Sequence, residues 1–331
     1  MSTELQTLLR LKQRVYRDPR MRSHISEQQV TADTASDDLA QFWFKKMRKI
    51  FQQIDDYAKW VVPFANAERD FRFLDLGCCP GGFSSYILAK NKISTGVGVS
   101  LDPKSGGHAY LIDETVQDRH TILFRDITKL RVAEPAVTRI SDGLVDLPDE
   151  LTRREYDLII LDGHQLRNQK DKEALLVISQ IIIMLKTTKA AGSTVVMKLS
   201  NAETTSTKRL LFMLDMLSAD KPRSLMAYKP YKMHREKATF YAIAKGVGGG
   251  KRQQHQAYYL KHFEELWKKM LERRSSGREF RSDDLAFIAS EDELELFGQK
   301  HQELCADVWK VQSEALLSRF ASFETTYPKD L

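Results

Sequence analysis

The middle of this 331-residue chain differs from its two ends in the spacing of its apolar positions. Between residue 70 and about residue 245, short continuous runs of Val, Ile and Leu alternate with longer amphipathic stretches. Continuous apolar runs are typical of strands that are covered on both faces, whereas half-exposed strands alternate. The runs predict strands at Phe71–Leu76, Thr95–Leu101, Thr121–Phe124, Tyr156–Asp162, Gly192–Leu199 and Ala238–Lys245.

The stretches between these strands have the periodicity of helices with one apolar face. They include Gly82–Lys90, Lys170–Lys186 and Thr205–Ser218. An alternation of strands and helices favours right-handed crossovers, which place helices on both faces of a parallel sheet. The predicted fold class is therefore α/β, with a doubly wound, mostly parallel sheet.

Both ends of the chain have helical patterns. Residues 3–60 predict two helices around a polar stretch near Ser26 to Ser36, and GVGGGKRQQ at 246–254 predicts a glycine-rich linker. Helical periodicity returns in Tyr258–Arg274 and Glu291–Phe320. The predicted organisation is an N-terminal helical extension (1–65), a central α/β domain (66–246), and a linker with a C-terminal helical extension (247–331).

Composition and charge narrow the class of protein. Hydrophobic residues make up 42% of the chain and charged residues 29%, as in water-soluble globular proteins. No apolar run approaches the ~18 residues that span a bilayer, so no membrane contact is predicted. The net charge of +6 is compatible with an anionic partner without identifying one.

The cysteine count indicates the compartment. Cys78 and Cys79 are adjacent and Cys305 is distant, so their spacing matches neither a disulfide framework nor a zinc site. A reducing, intracellular compartment, cytoplasmic or nuclear, is therefore expected, and no metal site is predicted. The basic residues between Arg10 and Arg22 leave a mitochondrial location open.

The segment LDLGCCPGGF, residues 74–83, follows the first predicted strand and opens the first predicted central helix. Glycines in such a turn let the backbone approach a ligand closely and direct helix N-terminal amides at it. Gly77, Gly81 and Gly82 lack the spacing of the dinucleotide fingerprint, and no Lys-Ser/Thr pair follows them as in a P-loop. A different ligand is expected, and a tight turn without a ligand is the alternative.

The run D-L-G-x-x-P-G-G-F in this position resembles the first motif of S-adenosylmethionine-dependent methyltransferases. It is most similar to the FtsJ-like enzymes that methylate the ribose 2′-hydroxyl of RNA, and the resemblance covers roughly residues 40–245. The resemblance implies a Rossmann-like class I methyltransferase fold, S-adenosyl-L-methionine as cofactor, and RNA as partner.

The same resemblance implies the cofactor-binding residues. Gly81 and Phe83 would border the methionine end of the cofactor, and Asp75 would organise the turn from below. The full set is Asp75, Gly77, Pro80, Gly81, Gly82, Phe83, Ser100, Asp102, Asp126 and Asp162.

Two positions in this set remain open at the level of sequence. Ser100 takes the place of the family's usual ribose-binding acid, so Ser100, Leu101 or Asp102 is expected near the ribose. Asp126 would hold the adenine amino group. Alternatively, an Asp after a strand is a helix cap or a turn former.

FtsJ-like enzymes resemble one another in a catalytic Lys-Asp-Lys-Glu tetrad, and three members can be matched here. Asp162 ends the fourth predicted strand at the carboxyl edge, where open α/β sheets bind ligands. Lys198 ends an apolar strand, where burying an amine without a role is costly, although a lysine that reaches solvent is the alternative. WFK in FWFKKMRKI points to Lys45, with Lys49 one helical turn further on as the alternative.

The fourth member departs from the family. The family's last strand carries Glu-x-Tyr, whereas HREKATFYAIA places Thr239 at the Glu position, two residues before Tyr241. Glu236 would point to the opposite face of a regular strand. The predicted catalytic set is Lys45, Asp162, Lys198 and Thr239. Two functions follow: an S-adenosylmethionine-dependent RNA ribose 2′-O-methyltransferase, or a catalytically inactive methyltransferase fold that binds RNA or acts as a scaffold.

Further features concern the partner. His164, near Asp162, is either a polar loop residue or a contact to the substrate. Residues 251–281 hold nine Lys or Arg against four acids, which fits either an RNA-binding surface or a solvated helix face. The chain after Asp283 is acidic, so the last helices are expected to pack on the core or on a protein partner.

Overall fold

The computed structural model describes residues 2–33, 37–64, 70–134, 143–153, 155–164, 173–231, 235–275 and 281–326. The strands are Arg72–Leu76 (β1), Thr95–Ser100 (β2), His120–Phe124 (β3), Leu130–Arg131 (β4), Val145–Asp146 (β5), Leu158–Leu161 (β6), Ser193–Ser200 (β7), Leu225–Tyr228 (β8) and Thr239–Val247 (β9). The helices are Thr3–Arg17 (α1), Pro19–Asp33 (α2), Asp37–Tyr57 (α3), Gly82–Lys90 (α4), Glu173–Thr187 (α5), Thr205–Leu217 (α6), Gln253–Ser275 (α7), Glu291–Leu296 (α8) and Gly298–Thr326 (α9).

The central sheet confirms the predicted fold class. Within the described residues, seven strands pair in the order β3-β2-β1-β6-β7-β9-β8. Neighbours from β3 to β7 are parallel, and β9 runs antiparallel to both β7 and β8. The order reverses between β1 and β6, which is the kind of switch point where open α/β sheets bind ligands at the carboxyl edge.

The two faces of the sheet are covered by different helices. Because successive strand side chains point to opposite faces, Phe73 packs in the core beneath α3 and α4, whereas Leu74 packs in the core beneath α5 and α6. Asp75 therefore shares the α3/α4 face with Phe73. The same alternation places Asp162 on this face, since Ile160 packs there too.

The two ends of the chain pack on each other. Helix α1 lies against α9 and buries Leu8 and Leu11. The guanidinium of Arg14 lies 3.9 Å above the ring centroid of Phe320. Trp309 of α9 is fully buried in the same core. The C-terminal helices thus pack on the chain's own N-terminal helix and on the sheet domain.

Three predictions at the ends of the chain are corrected by the structure. Residues 26–33 of the predicted polar stretch lie inside α2, because the helical break comes earlier, at Asp18, where Pro19 opens the new helix, and residues 34–36 lie outside the described residues. The linker predicted at 246–254 shortens to 248–252, since β9 and α7 extend into it. The helical stretch predicted at Glu291–Phe320 is divided at Phe297, which lies between the end of α8 and the start of α9.

A buried carboxylate ties the C-terminal end of α3 to the C-terminal end of α4. Asp55 is fully buried and accepts hydrogen bonds from the Val62 amide (2.9 Å), the Tyr86 hydroxyl (2.7 Å) and the Lys90 ammonium. The Lys90 side chain is only 10% exposed. Loss of the carboxylate would leave a desolvated cation without its counter-charge, which is costly.

We expect Asp55→Ala to lower the free energy of unfolding by about 3–5 kcal/mol, the range for removing one partner of a buried ion pair. The matched control is Asp56→Ala at the neighbouring, exposed position, which should change stability by less than about 0.5 kcal/mol. Urea denaturation followed by circular dichroism measures both variants. Equal stability of the two variants would show that the Asp55 contacts contribute nothing.

Candidate active site

A pocket opens at the carboxyl edge of the sheet, where the turns after β1, β2, β3 and β6 meet. Its walls come from the glycine-rich turn, from the loop after β2, and from the first turn after β3. The described residues that line it are Gly77, Cys79, Ser100, Leu101, Gly107, His108, Arg125, Asp126, Ile127, Thr128, Gly163, His164 and Leu176.

Backbone forms the floor of this pocket because two turns touch there. A Cβ atom added to Gly77 would lie 2.4 Å from Gly163 Cα, so neither a side chain nor a wider turn fits. Gly77 also has a φ of +88°, which residues with side chains rarely adopt. Helix α3 lies equally close to the start of α4, since a Cβ on Gly82 would lie 2.5 Å from the Phe44 carbonyl oxygen.

Asp75 lies directly below the turn and joins β1 to α4. Its side chain is fully buried, and the Ser84 hydroxyl donates to its Oδ2 at 2.7 Å. Burial raises the pKa of Asp75 to about 7, and the Ser84 hydrogen bond acts in the opposite direction. The carboxyl group therefore fixes the first turn of α4 beneath the pocket.

Other residues of the predicted cofactor set lie in the turn or the core rather than in the pocket lining. Pro80, Gly81 and Gly82 are buried between the end of β1 and α4. Phe83 is 1% exposed and packs on Phe51 at 4.9 Å between ring centroids, so its side chain belongs to the α3/α4 core. Among the described lining residues, Gly77 is the member of the glycine set that reaches the pocket.

The three candidates for the ribose contact, Ser100, Leu101 and Asp102, differ in their positions relative to the pocket. Ser100 and Leu101 line the pocket, whereas Asp102 caps a short 3₁₀ turn by accepting from the Lys104 amide at 2.8 Å. Asp126 does both: its Oδ1 accepts from the amide and hydroxyl of Thr128, and the residue also lines the pocket. The capping alternative that the sequence offered for Asp126 is therefore realised, and Asp102 is a cap as well.

Asp162 directly precedes Gly163 and His164 of the pocket lining. It is 2% exposed, and its Oδ1 accepts from the Tyr241 hydroxyl at 2.9 Å. Lys198 Nζ lies 3.5 Å from the same oxygen. Burial raises the pKa of Asp162, while the Lys198 charge and the Tyr241 hydroxyl lower it. Lys198 and Tyr241 come together because they are opposite each other in the β7–β9 register.

Two histidines of the pocket lining, His108 and His164, lie beside the cluster of Asp162, Lys198 and Tyr241. His164 Nδ1 lies 3.2 Å from Lys198 Nζ and 3.3 Å from the Asp162 carbonyl oxygen. The Lys198 charge lowers the pKa of His164 to about 3, and desolvation of the ring by neighbouring protein atoms acts in the same direction. Part of the residue is nevertheless exposed to solvent. His108 lines the pocket beside it, and its ring meets Trp43 of α3 edge-on at 5.5 Å between centroids.

The other two members of the predicted catalytic set are placed differently. Lys45 and Lys49 are exposed on α3, and neither forms a hydrogen bond or ion pair with Asp162 or Lys198 among the described contacts. Thr239 begins β9 on the same face as Tyr241 and lies opposite Ser200. The site is thus built around Asp162 and Lys198, with Thr239 at its rim.

Sequence reasoning missed several residues here. The loop carrying Gly107 and His108 was not assigned, although the Gly106–Gly107 pair indicates a close backbone approach. A Cβ on Gly107 would lie 1.9 Å from the Leu101 carbonyl oxygen.

Lys229 was also missed. The residue is 2% exposed, and its side chain donates to the Thr239 carbonyl oxygen at 2.8 Å. Burial lowers the pKa of Lys229 to about 7.

The basic stretch at 251–281 carries fewer unpaired charges than its sequence suggests. Arg273 pairs with Asp284 at 2.7 Å, and residues 276–280 lie outside the described part of the chain. Lys261 and Lys269 are exposed on α7. Within the described residues, no helix has the length and apolar character needed to cross a membrane, and no cluster of His, Cys, Asp or Glu has the arrangement of a metal site.

Comparison with known proteins agrees with this geometry. The model of the FtsJ-like methyltransferase family matches residues 46–224, which include the glycine turn, Asp162 and Lys198. A search of curated proteins found no match. The matched segment is more than half of the chain, and it agrees with the resemblance of the D-L-G-x-x-P-G-G-F run. The chain therefore belongs to the FtsJ-like methyltransferase family.

Proposed function

We propose that this chain transfers a methyl group from S-adenosyl-L-methionine to a ribose 2′-hydroxyl of RNA. The observation that carries the proposal is the amine of Lys198, which lies 3.5 Å from the buried Asp162 carboxylate and 3.2 Å from His164 of the pocket lining. A ribose hydroxyl is a poor nucleophile until it loses its proton, and a lysine amine can take that proton. Membership of the family supports methyl transfer as the reaction class.

The pocket residues fit this cofactor. Asp126 uses Oδ1 for its two hydrogen bonds to Thr128, which leaves Oδ2 to accept from an adenine amino group. Leu101 and Ile127 provide apolar surface for a purine, and Ser100 offers a hydroxyl to the ribose. The backbone at Gly77 admits the methionine end. When bound, S-adenosylmethionine would supply an electrophilic methyl group on a sulfonium.

The protein's part in the reaction is to orient the acceptor and to move one proton. Lys198 Nζ would accept the proton that the ribose O–H group loses, while the cofactor would give up its methyl group to the ribose oxygen by cleavage of the methyl C–S bond and leave as S-adenosylhomocysteine. Asp162 keeps the amine in place, and the Tyr241 hydroxyl keeps Asp162 in place. The proton then leaves Lys198 for solvent through the open pocket.

A second candidate function is favoured by Thr239. A threonine at the start of β9 provides no negative charge on the face that carries Tyr241. If the family's chemistry requires a carboxylate there, the fold would bind cofactor and RNA without transferring the methyl group. The two candidates differ in turnover and not in cofactor binding.

The cofactor assignment predicts saturable binding of S-adenosylmethionine by the wild-type chain in titration calorimetry. Leu101→Trp should fill the pocket and weaken binding by about 10-fold or more, which corresponds to about 1.4 kcal/mol. Ile93→Trp, at an exposed position outside the pocket lining, is the matched control and should bind like wild type. A wild-type chain that binds no cofactor would contradict the assignment.

The catalytic assignment predicts that Lys198→Met abolishes methyl transfer from labelled cofactor to RNA. Methionine keeps the apolar stem but has no amine, so turnover should fall by ~10²-fold or more while cofactor affinity changes little. Lys49→Ala, at an exposed position, should instead weaken RNA binding in a manner that disappears at high salt.

These measurements also separate the two candidate functions. Wild-type turnover that depends on Lys198 would reject the inactive-fold candidate. Cofactor binding without turnover, on total RNA and on isolated RNA classes, would favour it. Turnover that survives Lys198→Met would overturn the role of Lys198.

A further inference from the structure

The amine of Lys198 has two side-chain acceptors in the described structure. One is Asp162 Oδ1 at 3.5 Å, and the other is His164 Nδ1 at 3.2 Å. The first comes from the end of β6, and the second from the loop that follows it. An amine nitrogen is tetrahedral, so two fixed contacts define where its third position points.

The contact to His164 determines which imidazole nitrogen carries the proton. A protonated lysine can only donate a hydrogen bond, and the Asp162 carbonyl oxygen, 3.3 Å from Nδ1, can only accept one. Nδ1 can satisfy one of them and not both. Bonds from a charged donor are stronger than neutral ones, and an N–H directed at the Lys198 ammonium would be repelled. The contact to Lys198 therefore prevails.

We propose that His164 is a positioning residue for Lys198, an inference that rests on the proposed function. Its neutral ring carries the proton on Nε2, accepts from Lys198 through Nδ1, and with Asp162 fixes the rotation of the amine. The third tetrahedral position of Nζ is then fixed as well, and in this proposal the ribose hydroxyl is delivered there. In the free amine this position holds the lone pair that takes the hydroxyl proton.

The surroundings of the imidazole agree with a neutral ring. The groups that act on its pKa are Lys198, His108 and Lys237, which lower it, and the backbone carbonyl of Asp162, which raises it. Lys198 and Lys237 are cations that oppose a second proton on the ring, and they lower the pKa of His164. The pKa of His108 is also lowered, by burial and by Lys198, so its ring adds no fixed positive charge at neutral pH.

The arrangement also explains how the site functions with Thr239 on β9. The Tyr241 hydroxyl is committed to Asp162, and no carboxylate projects from position 239. A second acceptor for Lys198 therefore comes from the loop after β6. A neutral imidazole orients the amine without adding a negative charge that would hold its proton.

Two substitutions distinguish positioning from packing. In His164→Asn, the amide oxygen is attached to Cγ, as Nδ1 is, so an acceptor remains in reach of Lys198. His164→Leu has a side chain of similar bulk and no acceptor. With RNA and cofactor saturating, His164→Leu should lower kcat by about 10-fold or more, because a hydrogen bond to a charged group is lost.

The pattern of kinetic constants is the decisive part of this experiment. His164→Asn should recover most of the wild-type kcat when both RNA and cofactor are saturating. A His164→Leu variant with wild-type kcat would overturn the proposal. Equal losses in the Asn and Leu variants would also overturn it, since packing alone would then account for the effect.

A second readout needs no turnover. Nitrogen-15 NMR of histidine-labelled protein at neutral pH should show His164 with an unprotonated Nδ1 and a protonated Nε2, and the Nδ1 resonance should shift in Lys198→Met. A proton on Nδ1, or no shift in that variant, would contradict the contact. If wild type transfers no methyl group, the proposed function fails, and the NMR result still decides the His164–Lys198 contact separately.

Discussion

A carboxylate that is 2% exposed must find its partners inside the protein, and Asp162 finds them on the next two strands of the sheet. Lys198 on β7 supplies the positive charge, and Tyr241 on β9 supplies a hydroxyl. All three side chains reach the same point because they share one face of the sheet. The geometry of the candidate site follows from satisfying this buried charge.

The strand order gives this cluster its position beside the pocket. Since β6 lies between β1 and β7, Asp162 stands next to the glycine turn on one side and next to Lys198 on the other. The contact between Gly77 and Gly163 brings the turns after β1 and β6 together. A cofactor seated on the glycine turn would therefore present its reactive end to Lys198.

Much of this was predictable from the sequence. The apolar runs located six of the seven central strands, because covered parallel strands have an unmistakable pattern. The short strand β8 was missed because its pairing with β9, and not a local pattern, defines it. The continuation of α2 through residues 26–33 was missed because these residues are mostly polar. Lys198 and Asp162 were indicated by their places at strand ends, whereas the His164 contact depends on a loop conformation that no spacing rule describes.

The proposed function requires that one pocket hold the cofactor with its sulfur towards Lys198. A crystal structure of the chain with S-adenosylhomocysteine would show whether it does. We expect the adenine between Leu101 and Ile127 with its amino group near Asp126, and the sulfur on the side of His164 and Lys198. A ligand bound elsewhere, or in the pocket with its sulfur directed away from Lys198, would contradict it.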